Sequence, residues 1–269
     1  MKKRVFIWIT SNRKKKLLLW FKRKIDFFQN ATRNVNNDHK TNGETWLQFK
    51  IAKTEPKIVF DVGANKGDWS LSILDQTKTT RVHSFEPNPE VFLKLEQKLK
   101  NHRERNIANL CALAYMTGKQ EFSINSKNNI FSSFYRRIND QDAKSIEVSM
   151  ISGDQYCREN SIDEIDFLKI DVEGFELEVL KGFSDMIAEK RIKVIQFEYG
   201  IMNIHARTFL KDFFDLLEPQ GYSIGKLFPK DIEFVKYTYS LDNFEWANYV
   251  AVRKDIDMFS SFEKSLQKE

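Results

Sequence analysis

Four acidic residues in the sequence stand at the ends of short apolar segments. They are Asp61, Glu86, Asp171 and Glu198, and each preceding segment has the length and apolar content of a buried strand. Ligands of an open α/β sheet bind outside the carboxyl ends of its strands, so we expect the four carboxylates to line one site. Carboxylates in such a site can accept hydrogen bonds from hydroxyl groups, take a proton from a substrate or hold a hard cation.

The turn after the first of these segments is rich in glycine. Gly63 and Gly67 flank Asn65, and glycine lets the backbone come close to a ligand. A dinucleotide-binding turn would need a glycine where Asn65 stands, and a Walker loop would need Gly-Lys followed by Ser or Thr. Asp68 follows Gly67 instead and would repel a phosphate group. The turn therefore favours a nucleoside cofactor without phosphates, with Glu86 placed to accept hydrogen bonds from its ribose hydroxyls.

Alternating strands and helices after Pro56 would position these residues, because this order is typical of a parallel sheet with crossover helices. The segment 118–150 alternates only weakly, which indicates an inserted hairpin or a mobile flap. The last two predicted strands form a closing antiparallel pair. Predicted strands cover 57–61, 81–86, 107–114, 165–171, 193–198, 222–228 and 246–253, and predicted helices cover 68–75, 91–99, 175–183 and 209–217.

A resemblance to a known family lies in segments 59–67, 84–89 and 165–174, with Glu176, 179–180, Gly182, 197–199 and 248–251. These segments resemble the FkbM family of S-adenosylmethionine (SAM) dependent methyltransferases, and the resemblance covers residues 43–253. The resemblance implies an α/β fold of class I (Rossmann-like), with a seven-stranded, mostly parallel sheet, helices on both faces and an antiparallel last strand. It also implies O-methylation, often of sugars in glycans, glycolipids or natural products. One departure is Ser152-Gly-Asp154, where the family usually has Thr-Leu-Asp.

The resemblance gives each acidic residue a role. Asp61 and Gly63 would shape the methionine side of SAM, with Asn65 and Gly67 in the same turn and Glu86 on the ribose. On the acceptor side, Asp171 and Glu198 would act as a base or as ligands of Mg²⁺ or Mn²⁺, which acidify a hydroxyl. His205 follows the fifth of the predicted strands and is a candidate to receive the proton, although a surface position explains it more simply. Ser132 and Ser133 are candidates for the acceptor pocket, and a plain turn would explain them equally.

Other functions are compatible with parts of this pattern. An NAD-linked sugar oxidoreductase or epimerase would also use Glu86, but Asn65 disfavours it. A non-catalytic, membrane-associated scaffold on the same fold would have no need of all four acids. RNA methylation is a third alternative, and the charge distribution speaks against a nucleic-acid partner.

The charge of the chain is concentrated in its first residues. The formal net charge is +5, yet ten Lys and Arg residues and no acid precede Asp26, so the remainder carries about −5. Aromatic and aliphatic residues lie between the cations in residues 1–28, which is typical of an amphipathic helix that binds an anionic membrane surface. The alternative is a helix packed on the domain with a solvated basic face. We therefore predict a basic arm and linker at 1–42, a methyltransferase domain at 43–255 and a polar tail at 256–269.

The remaining composition restricts the class of protein. Cys111 and Cys157 are too few for a disulfide framework, and no apolar run approaches the ~20 residues that a membrane-spanning helix needs. We expect a cytoplasmic enzyme, in contact with the inner face of the membrane if the arm binds lipid. The sequence predicts a small-molecule or glycan acceptor and leaves the oligomeric state open.

Overall fold

The computed structural model describes residues 2–124, 134 and 144–256. In these residues helices and strands alternate as expected. The helices are α1 Lys2–Ser11, α2 Lys16–Thr32, α3 Glu44–Ala52, α4 Asp68–Gln76, α5 Pro89–Lys98, α6 Gly153–Glu159, α7 Glu176–Lys181, α8 Ser184–Ala188, α9 Met202–Ala206 and α10 Leu210–Leu217. The strands are β1 Ile58–Val62, β2 Arg81–Phe85, β3 Asn106–Asn109, β4 Ala112–Ala114, β5 Gly118–Ile124, β6 Lys144–Ser152, β7 Ile165–Ile170, β8 Ile192–Tyr199, β9 Tyr222–Phe228, β10 Asp231–Phe234 and β11 Ala247–Arg253.

The main sheet has the strand order β3–β2–β1–β7–β8–β11–β9–β10. Its first five strands are parallel, and β11 runs antiparallel between β8 and β9. The predicted mostly parallel sheet with an antiparallel last strand is confirmed. Strand order reverses between β1 and β7, which is where ligands bind in open α/β sheets.

The predicted number of seven strands is wrong, because β10 adds an eighth strand at the edge of this sheet. The chain turns back after β9, and β10 pairs with it in the antiparallel direction. Ile232 and Phe234 are buried, whereas Asp231 and Glu233 are exposed. A run of four residues that contains two acids is too short to stand out in the sequence as a strand.

The predicted strand 107–114 is divided between two sheets. β3 belongs to the main sheet, and after bends at Leu110 and Cys111 the chain enters β4, which forms a second sheet of order β4–β6–β5. β5 and β6 are antiparallel, so the segment 118–150 has the form of a hairpin, one of its two expected forms. Residues 125–133 and 135–143, with Ser132 and Ser133, lie outside the described residues, as does the tail beyond residue 256.

Helices cover both faces of the main sheet, as predicted. On one face, α6, α7, α8 and α10 contribute buried side chains that include Tyr156, Leu180 and Phe213. On the other face, α3, α4 and α5 contribute Leu47, Ile73 and Leu95. The core therefore holds the sheet on both sides and leaves its carboxyl edge open.

The first two helices lie outside this core. Neither α1 nor α2 contains a buried residue, so the arm does not pack on the domain in the way that the alternative interpretation required. The expected linker contacts the domain: Arg33 pairs with Glu245 at 2.5 Å, and the side-chain amide of Asn34 donates to the carbonyl oxygen of Leu227 at 3.0 Å. No helix in the described part of the chain is long and apolar enough to cross a membrane.

Candidate active site

The glycine turn between β1 and α4 approaches the end of β7. Gly63 has φ +81°, and a Cβ there would lie 1.9 Å from the carbonyl oxygen of Asp171, so a larger residue does not fit. Asn65 is also left-handed, with φ 48°, a conformation that Asn adopts more readily than most residues. Gly67, with φ +79°, is the N-cap residue of α4, and a Cβ there would come within 3.3 Å of Leu99. The backbone of the turn thus forms one wall of an opening beside β1.

Glu86 lies directly after β2 and faces the same turn. One carboxylate oxygen accepts a hydrogen bond from the backbone N–H of Asn65 at 3.0 Å, and the other accepts from that of Asn88 at 2.8 Å. Only 7 % of Glu86 is exposed. Burial raises its pKa to about 7 against the opposing effect of the two backbone hydrogen bonds, and the charge of Asp61 raises the pKa further. The side chain is therefore held in one orientation, with lone pairs left for a ligand.

An open cleft extends from Glu86 across the end of β7. Its polar wall comes from the glycine turn, Glu86 and Asp171, and its apolar wall is largely aromatic. Phe134 lies 5.0 Å from Phe122 of the second sheet and 4.4 Å from Phe175, measured between ring centroids. The lining residues are Val62, Gly63, Asn65, Phe85, Glu86, Pro87, Ala112, Leu113, Phe122, Phe134, Asp171, Val172, Glu173 and Phe175.

A buried lysine connects two of the predicted acids. The ammonium group of Lys169 lies 3.3 Å from a carboxylate oxygen of Asp171 and 3.4 Å from one of Asp61. The second oxygen of Asp61 accepts a hydrogen bond from Ser70 at 2.7 Å. Asp61 is fully buried, whereas the side chain of Asp171 is 42 % exposed in the cleft. Burial alone would lower the pKa of Lys169, but the charges of Asp171 and Asp61 outweigh burial and raise it.

Lys169 was not singled out from the sequence, although a signal was present. A lysine stands in the otherwise apolar strand β7 and is paired in register with Asp61 on β1 and with Gln196 on β8. An unpaired ammonium group in the middle of a buried strand would be very costly. The position therefore required a buried acid beside it, and Asp61 is that acid.

The chain between β7 and α7 is held in an unusual conformation by Glu176. One carboxylate oxygen of this buried residue accepts hydrogen bonds from the N–H groups of Val172 and Gly174, at 3.1 and 3.0 Å. Glu173 and Gly174 both have left-handed backbones, with φ 56° and 101°. Glu176 thereby fixes the loop that carries Asp171 into the cleft, a role that its place in the resemblance to the FkbM family did not specify.

Glu198 and His205 do not belong to the lining of the cleft among the described residues. Glu198 is in β8, and only 9 % of it is exposed. Its pKa is raised well above the usual value by burial and then by the charges of Asp171, Glu173, Glu176 and Glu44. His205 is half-buried in α9. Within residues 2–124, 134 and 144–256, no group of three or more His, Cys, Asp and Glu residues is arranged to hold a metal ion.

The sheet order and the cleft at its switch point define the class I methyltransferase fold. A family model described as the methyltransferase FkbM domain matches residues 61–224. The chain belongs to this family of methyltransferases, which supports SAM as its cofactor.

Relatives of known name are distant in sequence. The chain is 26 % identical to the hexuronic acid methyltransferase AglP of Haloferax volcanii, over 55 % of this chain and 58 % of AglP. It is 28 % identical to the 31-O-demethyl-FK506 methyltransferase FkbM of Streptomyces tacrolimicus, over 52 % of this chain and 64 % of that protein. The chain thus spans about three fifths of the length of these curated relatives. A crystal structure of a methyltransferase FkbM from Methylobacillus flagellatus aligns with a TM-score of 0.44 at 19 % identity, over 73 % of this chain and 43 % of that chain.

Proposed function

We propose that this protein transfers a methyl group from SAM to a hydroxyl group of a sugar, in a glycan, a glycolipid or a related metabolite, in the cytoplasm. The observation that carries the proposal is the pairing of two carboxylates across one cleft. Glu86 is held by two backbone N–H groups on one side, and Asp171 is partly exposed on the other. Glu86 suits the fixed hydroxyls of a nucleoside. Asp171 suits a hydroxyl that must lose its proton.

The residues of the glycine turn fit the cofactor. Gly63 has no side chain to block access to the backbone beside the end of β7. Glu86 can accept hydrogen bonds from the ribose hydroxyls. The apolar wall with Phe85 and Leu113 can enclose an adenine ring. When bound, SAM supplies an activated methyl group on a sulfonium. Asp61, which is buried beneath the turn, would act on the cofactor through Lys169 and Ser70, since it does not line the cleft.

On the acceptor side, the residues must orient a hydroxyl and remove its proton. Orientation alone can contribute a large part of the rate of such a displacement. Asp171 projects into the cleft and is held from behind by Lys169. We assign Asp171 the role of general base, with the proton passing to its carboxylate.

A second version of proton removal uses a divalent cation. In this version Asp171 and Glu198 would hold Mg²⁺ or Mn²⁺ and His205 would receive the proton, but among the described residues Glu198 and His205 do not line the cleft with Asp171. Chelation with EDTA followed by addition of Mg²⁺ or Mn²⁺ separates the two versions. Loss of activity that either metal restores supports the cation, and activity that survives thorough chelation removes it.

A sugar acceptor is supported by one of the relatives, which is named for a hexuronic acid. The other is named for 31-O-demethyl-FK506 as its acceptor. Both names indicate acceptors that are not nucleic acids, which agrees with the net charge of about −5 outside the basic arm.

The proposal is tested first by binding and then by transfer. Calorimetry should show binding of SAM and S-adenosylhomocysteine and no binding of NAD. Binding of NAD without SAM would overturn the proposal in favour of an oxidoreductase. Radiolabelled SAM should then pass its methyl group to sugars or glycans. SAM binding with transfer only to RNA would indicate an RNA methyltransferase. SAM binding with no transfer to any acceptor class would indicate a non-catalytic scaffold.

A further inference from the structure

The arm formed by α1 and α2 exposes an unusual amount of apolar surface. Neither helix has a buried residue, and twelve of their large apolar side chains are exposed. Their exposure ranges from 40 % for Leu19 to 74 % for Phe27. Soluble surfaces seldom carry so many in one place without a partner. The residues are Val5, Phe6, Ile7, Trp8, Ile9, Leu17, Leu19, Trp20, Phe21, Ile25, Phe27 and Phe28.

The apolar residues of α2 form a continuous face. Leu17, Phe21, Ile25 and Phe28 recur at helical spacing and so lie on one side of the helix. Lys24 lies next to this face, with its ammonium group 5.8 Å from the ring centroid of Trp20. A lysine in this place can lay its aliphatic chain along apolar surface and keep its charge in the polar layer.

The charge of the arm identifies the partner. Ten cations accompany the apolar face, and no acid precedes Asp26, which is paired with Lys22 at 2.6 Å. The centre of a protein interface is depleted in charged residues, whereas an anionic lipid surface attracts Lys and Arg and accommodates Trp at its boundary. An anionic bilayer therefore fits the arm better than a second protein surface does.

The base of the arm is attached firmly to the catalytic domain. Asn34 is buried, and its side-chain amide donates to the carbonyl oxygens of Asn42 at 2.7 Å and Leu227 at 3.0 Å. Gly43 has φ +113°, and a Cβ there would lie 2.3 Å from the carbonyl oxygen of Phe228. The segment between α2 and α3 is thus tied to β9, which would set the direction in which the arm leaves the domain.

We propose that α1 and α2 bind an anionic membrane surface through the apolar face of α2 and the cations of both helices. The contacts at Asn34 and Gly43 then hold the catalytic domain at a fixed distance from that surface. This binding is independent of the methyl-transfer chemistry, because neither α1 nor α2 contributes a residue to the cleft.

Vesicle sedimentation of the full chain at low salt tests the proposal. Vesicles of phosphatidylglycerol and phosphatidylcholine should carry the protein into the pellet, and vesicles of phosphatidylcholine alone should carry much less. The double variant Phe21→Ser with Arg23→Glu should reduce the affinity by at least about tenfold, because each basic residue near the surface contributes measurably. The matched control is Leu93→Ser with Lys94→Glu on α5, where both residues are exposed, and it should sediment as the unaltered chain does.

Two results would overturn the proposal. One is equal sedimentation with both vesicle types or with both double variants. The other is a dimer in analytical ultracentrifugation that the Phe21 and Arg23 changes dissociate while vesicle binding is absent, which would assign the face to a second copy of the chain. Calorimetric binding of SAM by the same variants should equal that of the unaltered chain. A failure of membrane binding is thereby kept distinct from a failure of the proposed function.

Discussion

Glu86 and Asp171 face the same cleft from opposite sides of the switch point, and they are held in different ways. Glu86 is 7 % exposed and is fixed by two backbone N–H groups. The side chain of Asp171 is 42 % exposed and is held by the side chain of Lys169, which also contacts Asp61. The orientation of the Glu86 carboxylate is set by the backbone, whereas that of Asp171 is set by the side chains of Lys169 and Asp61.

This difference suggests a division of labour within the cleft. Backbone hydrogen bonds set a constant geometry, which suits a cofactor that is the same in every turnover. A half-exposed carboxylate on a charged support can respond to the acceptor that lies against it. Substitutions on the two sides should therefore change cofactor affinity and turnover separately.

The largest effect is expected for Asp171→Asn. A positioned general base contributes about 10²–10⁴ in rate, so kcat should fall by at least ~100-fold while the Kd for SAM is unchanged. Steady-state kinetics and calorimetry measure the two quantities. Asp163→Asn, at an exposed position before β7, should change neither. Normal turnover of Asp171→Asn would remove this residue from the site.

Lys169→Met should weaken the support of Asp171 and destabilise the fold. Removal of one partner of a buried ion pair costs about 3–5 kcal/mol, because the other charge is left without compensation. Urea denaturation should show a loss of this size in the free energy of unfolding. The double variant Lys169→Met with Asp61→Asn should recover part of it. If the double variant is as unstable as the single one, the charge of Asp61 is not the cause.

Glu86→Ala should affect the opposite side of the cleft. It removes two hydrogen bonds to a charged acceptor, each contributing about 1.5–3 kcal/mol, so SAM affinity should fall at least about tenfold. Once SAM is saturating, kcat should change little. Glu96→Ala, at an exposed position on α5, is the control. Unchanged affinity would show that Glu86 does not contact the cofactor.

The smallest effect is the pH dependence of SAM affinity, which we expect Glu86 to cause. Burial raises the pKa of Glu86 from 4.5 to about 7, and the ionised form is the one that accepts ribose hydrogen bonds. SAM affinity should therefore rise as pH increases through about 7 and level off above it. The contribution of Glu86 to folding stability has the opposite sign. The folded state holds the proton more tightly than the unfolded state, so this contribution falls as pH rises from about 4.5 to about 7.

Calorimetry between about pH 5.5 and about pH 8.5 measures the change in affinity, and Glu86→Gln should flatten it because the amide does not titrate in this range. A flat profile in the unaltered chain would mean that Glu86 is already ionised at the lower pH. Glu86 and Asp171 would then differ only in the groups that hold them and in their exposure.

The sequence predicted the mostly parallel sheet, and Gly63 and Glu86 line the cleft at its switch point. Asp61, Gly63 and Glu86 occur at positions fixed by local rules, namely the end of an apolar strand and a turn that excludes Cβ. Such rules act over a few neighbouring residues, so they are visible in the sequence.

The acceptor side was harder to predict, because its contacts join distant parts of the chain. Glu198 and His205 were expected in the site, yet the cleft lining of the described residues contains neither. Lys169 was missed because its ion pair with Asp61 depends on the register between β7 and β1, which the sequence alone does not give. The strand β10 was missed because its pairing with β9, and not its own composition, makes it a strand.

The three strands of the second sheet meet at one end of the hairpin formed by β5 and β6. Met150 pairs with Ala112 on one side and with Gly118 on the other, so three strands meet at a single level of the sheet. Residues 119–124 and 144–149 pair outward from that level, and Phe122 among them lines the cleft. We therefore expect that a longer or shorter hairpin could be grafted at Met150 to change the wall of the cleft that Phe122 forms, while β4 and Glu86 stay in place.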